Sequence, residues 1–246
     1  MIRGVLEIRD AYRSTAVASQ YVQERFREPL GELLHARQVD AVASIIERRA
    51  PERILEIAPG PARVTFDVAR RVNRAWTLVD ASAQMLAEAR RRLDGGRGWK
   101  LVQGDAFALP AAGPFDFVYS FRFVRHFELA DRQRCYREVA RLLAPGGLFL
   151  FDAVNDEVSA PLRRANPHEY VHYDALVRAD EIPRELAAAG LQVVSLEGVQ
   201  HRYGILRQLQ LLVAPRSRPL ARAAMEMADR LPGGTPLEWM VLCRRA

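Results

Sequence analysis

Arg53-Ile-Leu-Glu-Ile-Ala-Pro-Gly-Pro-Ala-Arg-Val-Thr65 is the stretch that decides the fold. Residues 53–57 are apolar apart from Glu56 and read as a buried strand. They stop at a turn of small residues, and helical spacing resumes from Ala62. One strand and one helix later stands Leu78-Val79-Asp80. A strand, a small-residue turn, a helix, and an acid closing the next strand together can cradle a nucleoside through its two hydroxyls. Alanine at Ala58 and Ala62 adds only a methyl group, which is tolerated if φ stays negative. Pro59 and Pro61 fix their own φ and remove two N–H donors, leaving Gly60 as the flexible link. A pyrophosphate cradle needs several such donors, so the prolines weigh against a dinucleotide.

Outward from this turn the chain alternates. Strands are predicted at 53–57, 76–80, 100–103, 115–120 and 148–152, with helices at 62–72, 83–93 and 130–143 and a Pro145-Gly146-Gly147 stop. Such alternation with short connections calls for a parallel sheet covered on both faces. Regularity lapses after Asp152. It returns with a helix capped by Asp180 and stopped by Gly190, a strand at 191–197, a helical region at 204–230 broken at Pro215, and a last strand at 237–243. Ahead of the turn, 16–50 carries helical spacing interrupted near Pro29-Leu-Gly31. We read one domain of 246 residues: an N-terminal helical cap over 1–50 and a core over 51–246, with an insert at about 156–180.

The formal charge is +6, and Lys100 is the only lysine. Arginines cluster in pairs such as Arg48-Arg49, Arg70-Arg71 and Arg163-Arg164 near predicted helix C-termini, where cations favour the dipole. Solvated helix ends explain this better than a nucleic-acid surface. Cys135 and Cys243 lack metal-ligand spacing and read as buried thiols. Neither a signal-like start nor a run long enough to span a bilayer is visible, so the expectation is a cytoplasmic protein without a membrane partner.

The motifs resemble those of class I S-adenosylmethionine (SAM)-dependent methyltransferases. The family's acidic-x-Gly-x-Gly-x-Gly survives here as Glu56, Ala58, Gly60 and Ala62, and Asp80-Ala81-Ser82-Ala83-Gln84-Met85-Leu86 is similar to its Asp-x-Ser-x-x-Met-Leu run. The resemblance implies an α/β fold with a seven-stranded, mostly parallel sheet whose last strand is antiparallel. It implies SAM as cofactor, with Glu56 near the amino group and Ala58, Pro59 and Gly60 packed against the ligand. Asp80 and Ala81 would lie at the ribose, where a carboxylate accepts charge-assisted bonds. Met85 would lie against the adenine, and Asp105 and Ala106 would read its edge. Phe121 and Arg122 would border the methionine end. Taken alone, Asp80 also reads as a helix cap and Gly104-Asp105 as a plain turn. Asp116 reads as structural.

The acceptor end is less determined. His126 is the one mid-pH base near the expected mouth, and reads as a base or as a positioning residue. No metal is expected, since Asp152, Asn155 and Asp156 need a further acid. The Arg163–Tyr173 stretch is rich in aromatics and histidine. Tyr12, Tyr21, Arg25, Tyr170, His172, Tyr173 and Tyr203 are the candidates for holding a small, aromatic or partly apolar acceptor, methylated on oxygen before carbon or nitrogen. The rival readings are an RNA or protein methyltransferase and a SAM-binding protein without transfer activity. Oligomeric state is not legible.

Overall fold

The computed structural model describes residues 28–93, 98–170 and 173–246. Its strands are β1 (Ile54–Ile57), β2 (Trp76–Asp80), β3 (Trp99–Gln103), β4 (Phe115–Ser120), β5 (Leu143–Asn155), β6 (Leu176–Val177), β7 (Leu191–His201) and β8 (Pro236–Arg245). They form one sheet in the order β3-β2-β1-β4-β5-β8-β7, with β6 paired to β5 off that path. Strands β1 to β6 pair in parallel. β8 enters between β5 and β7 and is antiparallel to both. The expected mostly parallel sheet with an antiparallel last strand is thus present, extended by the two-residue β6.

The helices are α1 (Pro29–Arg49), α2 (Arg63–Ala69), α3 (Ala83–Arg92), α4 (Leu129–Leu142), α5 (Asp156–Ala165), α6 (Ile182–Ala187), α7 (Tyr203–Gln208) and α8 (Arg218–Arg230). All four residues of β1 are buried because both faces of the sheet are covered. Leu55 and Ile57 join Val118, Phe149 and Phe151 in a core with Tyr136 and Val139 of α4 and Leu186 of α6. Ile54 joins Leu78, Phe117 and Leu150 in the opposite core with Val42 and Ile46 of α1 and Val64 and Val68 of α2.

Several boundaries differ from the sequence reading. Pro29 opens α1 after the extended Glu28, at a position where a missing N–H costs nothing, and Gly31 lies within that helix. Pro145-Gly146-Gly147 lies within β5 as a bulge: Phe115 pairs with Leu143 and Phe117 with Leu148, so the extra residues loop out without ending the strand. The stretch after Asp152 is more regular than expected. Asn155 caps α5 by accepting from Glu157 N (3.2 Å), and Pro161 sits within that helix. Asp180 does not cap α6, which starts at Ile182 after Glu181. Gly190 does stop the segment, at φ +75°. Between α7 and α8, residues Leu209–Val213 form a π-helical turn.

Candidate active site

Strand order reverses between β1 and β4, and the carboxyl ends of these strands open onto a cavity of about 360 Å³. Glu56, Ala58, Pro59, Gly60, Asp80, Ala81 and Met85 all line it. So do Asp105, Ala106, Phe121, Arg122 and His126. The sequence-predicted cofactor residues are therefore brought together at one crevice.

Ala58 (φ 52°), Gly60 (φ 55°) and Ala62 (φ 54°) are all left-handed. The alanines thus do not keep negative φ; each carries a strain of roughly 1–2 kcal/mol that glycine would avoid. The turn is held in this shape by its own hydrogen bonds. Ala58 N donates to Val79 O (2.8 Å), Ala62 N to Pro59 O (3.0 Å) and Gly60 N to Asp80 Oδ2 (3.0 Å). With Pro59 and Pro61 lacking donors, every N–H of residues 58–62 is committed inside the protein. A phosphate would find no donor here.

Three acids reach the crevice from successive strand ends. Asp80 Oδ2 holds the turn while Oδ1 accepts from Ser82 N (2.8 Å), and Ser82 Oγ in turn caps α3 by accepting from Met85 N (3.2 Å). Burial raises the Asp80 pKa, against these backbone bonds. Each oxygen of an ionised carboxylate retains a further lone pair beyond these bonds. Glu56 is buried, and its Oε2 accepts from the Thr65 hydroxyl and from Tyr119 Oη (3.2 Å). Burial raises its pKa to about 7, outweighing the Thr65 bond and the nearby Arg63 charge. Asp105 Oδ1 accepts from Phe107 N (3.0 Å), tightening the β3 exit. The neighbouring Gly104 has no room for a side chain: a Cβ would lie 2.3 Å from Pro110 Cγ. Asp116 accepts from Glu52 N (3.0 Å) and Arg53 N (2.9 Å), the structural role expected of it.

His126 is buried at the other side of the cavity. Its Nδ1 lies 2.9 Å from Tyr173 O and 3.1 Å from Asp174 Oδ1. Both partners accept, which fixes the proton on Nδ1 and leaves Nε2 as the basic nitrogen. Asp174 also meets Arg125 Nε (3.0 Å) and Arg163. Burial pushes its pKa up, but the His126 bond and the Arg125 charge win and hold it well below the usual carboxylate range. Arg125 further bridges Asp152 (3.2 Å) and Glu238 (2.7 Å). Asp152 Oδ1 accepts from Arg122 N (2.6 Å) and so secures the left-handed Arg122 (φ 56°) on the cavity wall. Asp152 and Asn155 are thereby tied into the protein, and among the described residues no group of three His, Cys, Asp or Glu is placed to hold a metal ion.

The acceptor candidates scatter. Tyr170 and Tyr203 line a second cavity that shares Arg122 with the first. Tyr173 contributes its carbonyl to His126, while its side chain is exposed and lines neither cavity. Tyr12, Tyr21, Arg25 and His172 lie outside the described residues. Sequence reasoning missed Asp174, which carries no motif; only its place beside the aromatic insert pointed to it. It also missed Arg63, which lines the crevice and whose guanidinium bonds His35 Nδ1 (2.5 Å) and Gln38 on α1. The aromatic wall of Phe107, Phe123 and Phe127, with ring centroids 5.1 and 4.8 Å apart, was visible only as composition.

A crevice at the switch point, with acids from β1, β2 and β3 and no free turn N–H, suits a nucleoside that carries no phosphate. The comparisons agree. The sequence model of a methyltransferase domain matches residues 54–147. A malonyl-[acyl-carrier protein] O-methyltransferase of Methylococcus capsulatus is 30% identical over 203 residues, 74% of this chain and 73% of that one. A demethylmenaquinone methyltransferase of Thermus thermophilus is 36% identical over 102 residues, 40% of this chain and 46% of that one. Among solved structures, magnesium protoporphyrin IX methyltransferase from Synechocystis PCC 6803 with bound SAH superposes with a TM-score of 0.65 at 12% identity, covering 99% of this chain and 100% of that one. The chain belongs to the class I SAM-dependent methyltransferases, and its cofactor is SAM.

Proposed function

We propose that the protein transfers a methyl group to the oxygen of a small, partly aromatic acceptor, with Glu56, Asp80 and Asp105 holding the cofactor's amino, ribose and adenine ends. The observation that carries this reading is the pairing, around one crevice, of three strand-end acids with a histidine whose proton is fixed on the far nitrogen. The crevice volume, about 360 Å³, lies in the range of small-ligand sites, roughly 300–1,000 Å³. Its chemistry matches a cationic, hydroxyl-rich ligand: carboxylates to accept, and no N–H cradle. Bound SAM supplies an electrophilic methyl group on sulfonium.

The protein's own work is positioning and proton removal. The Phe107, Phe123 and Phe127 wall keeps water from the crevice. His126 Nε2 takes the proton of an acceptor hydroxyl as its oxygen becomes bonded to methyl, and Asp174 stabilises the resulting imidazolium. In-line geometry supplies much of the acceleration, so the base matters only for a protonated acceptor. Relatives named for O-methylation and for C-methylation in ubiquinone/menaquinone biosynthesis support oxygen or carbon over nitrogen.

Calorimetric titration with S-adenosylhomocysteine (SAH), on wild type and Asp80→Ala, tests the cofactor assignment; a screen of phenolic and carboxylic acceptors with labelled SAM tests transfer. Low-micromolar SAH binding lost in the variant, with methyl counts on a hydroxyl acceptor, is the expected result. Binding that Asp80→Ala leaves unchanged would overturn the site assignment, and binding with no transfer to any acceptor would overturn the reaction.

A further inference from the structure

A second cavity, about 280 Å³, lies between α1, the stretch after β5 and β8, and adjoins the cofactor crevice at Arg122. Glu238 on β8 lines it with its side chain only 4% exposed. Its Oε1 accepts from Arg125 Nη1 (2.7 Å). Its Oε2 is buried with no hydrogen-bond partner among the described residues. Leaving a buried carboxylate oxygen without a donor is costly, and natural structures seldom do so without a reason.

The neighbouring charges do not relieve it. Arg125 is shared with Asp152 and Asp174, and Arg163 bonds Asp174 and Ser159 while its guanidinium lies 4.8 Å from the Tyr170 ring centroid. Glu169 is paired with Arg207 (2.6 Å). Tyr170 and Tyr203 supply the aromatic walls. The unmet demand of this cavity is therefore for one donor. The lining sets Arg122, Arg125 and Arg163 against Glu169, Asp174 and Glu238, so it offers no net charge to an ionic ligand, and the missing partner must donate. A neutral hydroxyl meets both conditions.

We propose that this cavity is the recognition subsite for the methyl acceptor, and that it selects a neutral hydroxyl-bearing aromatic, whose O–H donates to Glu238 Oε2. The inference rests on the reading that the acceptor binds beside the cofactor crevice. It names a specificity residue, Glu238, and disfavours a free carboxylate at this end of the acceptor.

The test is a ligand-observed NMR titration of the SAH-saturated protein with phenol, benzoate and benzylamine, on wild type and Glu238→Gln. Arg125 only donates, so it holds the carbonyl of the new amide and turns the NH2 to where Oε2 stood. Polarity is thereby reversed at constant shape. Wild type is expected to bind phenol most tightly; in Glu238→Gln phenol weakens at least about tenfold and benzoate gains, since a charge-assisted bond is lost to one and a donor offered to the other. Equal or tighter binding of benzoate or benzylamine by wild type, binding of none of the three, or an unchanged order in a folded variant would each overturn the proposal. The wild-type order decides alone if the variant does not fold. SAH calorimetry on the same samples separates the two readings. SAH bound while phenol is refused defeats only the subsite, and SAH refused defeats the cofactor assignment, whatever phenol does to the unliganded protein.

Discussion

Glu56→Gln should make the protein more stable at alkaline pH and a poorer cofactor binder at the same time. Glu56 is buried beside Thr65 and Tyr119, and burial raises its pKa from 4.5 to about 7. A carboxyl whose folded pKa lies above its unfolded value binds more protons when folded. Its stabilising contribution is fully present below about pH 4.5 and is lost as pH rises through about 7. At 1.36 kcal/mol per unit, the wild type should lose about 3 kcal/mol across that window. Glutamine mimics the protonated acid: its carbonyl can accept the same two hydroxyls, and it cannot ionise. Denaturant melts at pH 5 and pH 8 should therefore give similar stabilities for the two proteins at pH 5 and an excess of about 3 kcal/mol for the variant at pH 8, roughly 6–12 °C in Tm for a chain of this size. Taking the difference between the two proteins cancels the contributions of His35 and Asp174. Binding should move the other way. If the ionised Glu56 meets the cofactor's ammonium, wild-type SAH affinity should improve about tenfold from pH 6 to pH 8 as the competent, ionised fraction grows, and the variant should be weak and flat. Parallel stability curves from pH 5 to pH 8 would refute the burial argument, and undiminished SAH binding by Glu56→Gln would refute the role.

The strained turn is separately testable. Ala58→Gly should stabilise by about 0.5–1 kcal/mol in urea melts, the left-handed strain of Ala58 less the greater freedom of glycine in the unfolded chain. Ala62→Gly should be near neutral, because Ala62 is fully buried and loses a packed methyl worth about 0.8 kcal/mol; stabilisation of the second but not the first would reverse the argument. Gly104→Ala should cost about 1–3 kcal/mol or fail to accumulate, since its Cβ would overlap the Pro110 ring. Asp174→Asn should lower kcat more than KM, as the His126 ring loses the carboxylate beside Nδ1; an unchanged kcat would remove His126 from the proton transfer. Because the Asp174 pKa is held down in the folded state, the wild type should also lose stability as pH falls below about 4, and the variant less so.

The legible parts of the molecule are those where the local pattern and the tertiary demand coincide. β1, β2 and β4 must be buried on both faces, so their apolar runs declare them, and the acids near the ends of β1 and β2 stand out because nothing else in those two runs is charged. A breaker was misread where glycine and proline serve the fold without ending an element: Pro145-Gly146-Gly147 swells β5. The backbone sign of Ala58 and Ala62 was not legible. Alanine says nothing of strain, and only the bonds from Ala58 N, Gly60 N and Ala62 N to Val79, Asp80 and Pro59 show what enforces it. The acceptor side was hardest because its logic is non-local. Arg125 gathers Asp152, Asp174 and Glu238 from three distant parts of the chain, and neither Asp174 nor Glu238 carries a motif. Once they are gathered, the arithmetic of donors and acceptors becomes informative. A guanidinium shared among three carboxylates cannot satisfy every oxygen, and the oxygen left over, Oε2, belongs to Glu238, a residue that lines the cavity beside the cofactor crevice. Selectivity for the acceptor follows from that shortfall rather than from any motif.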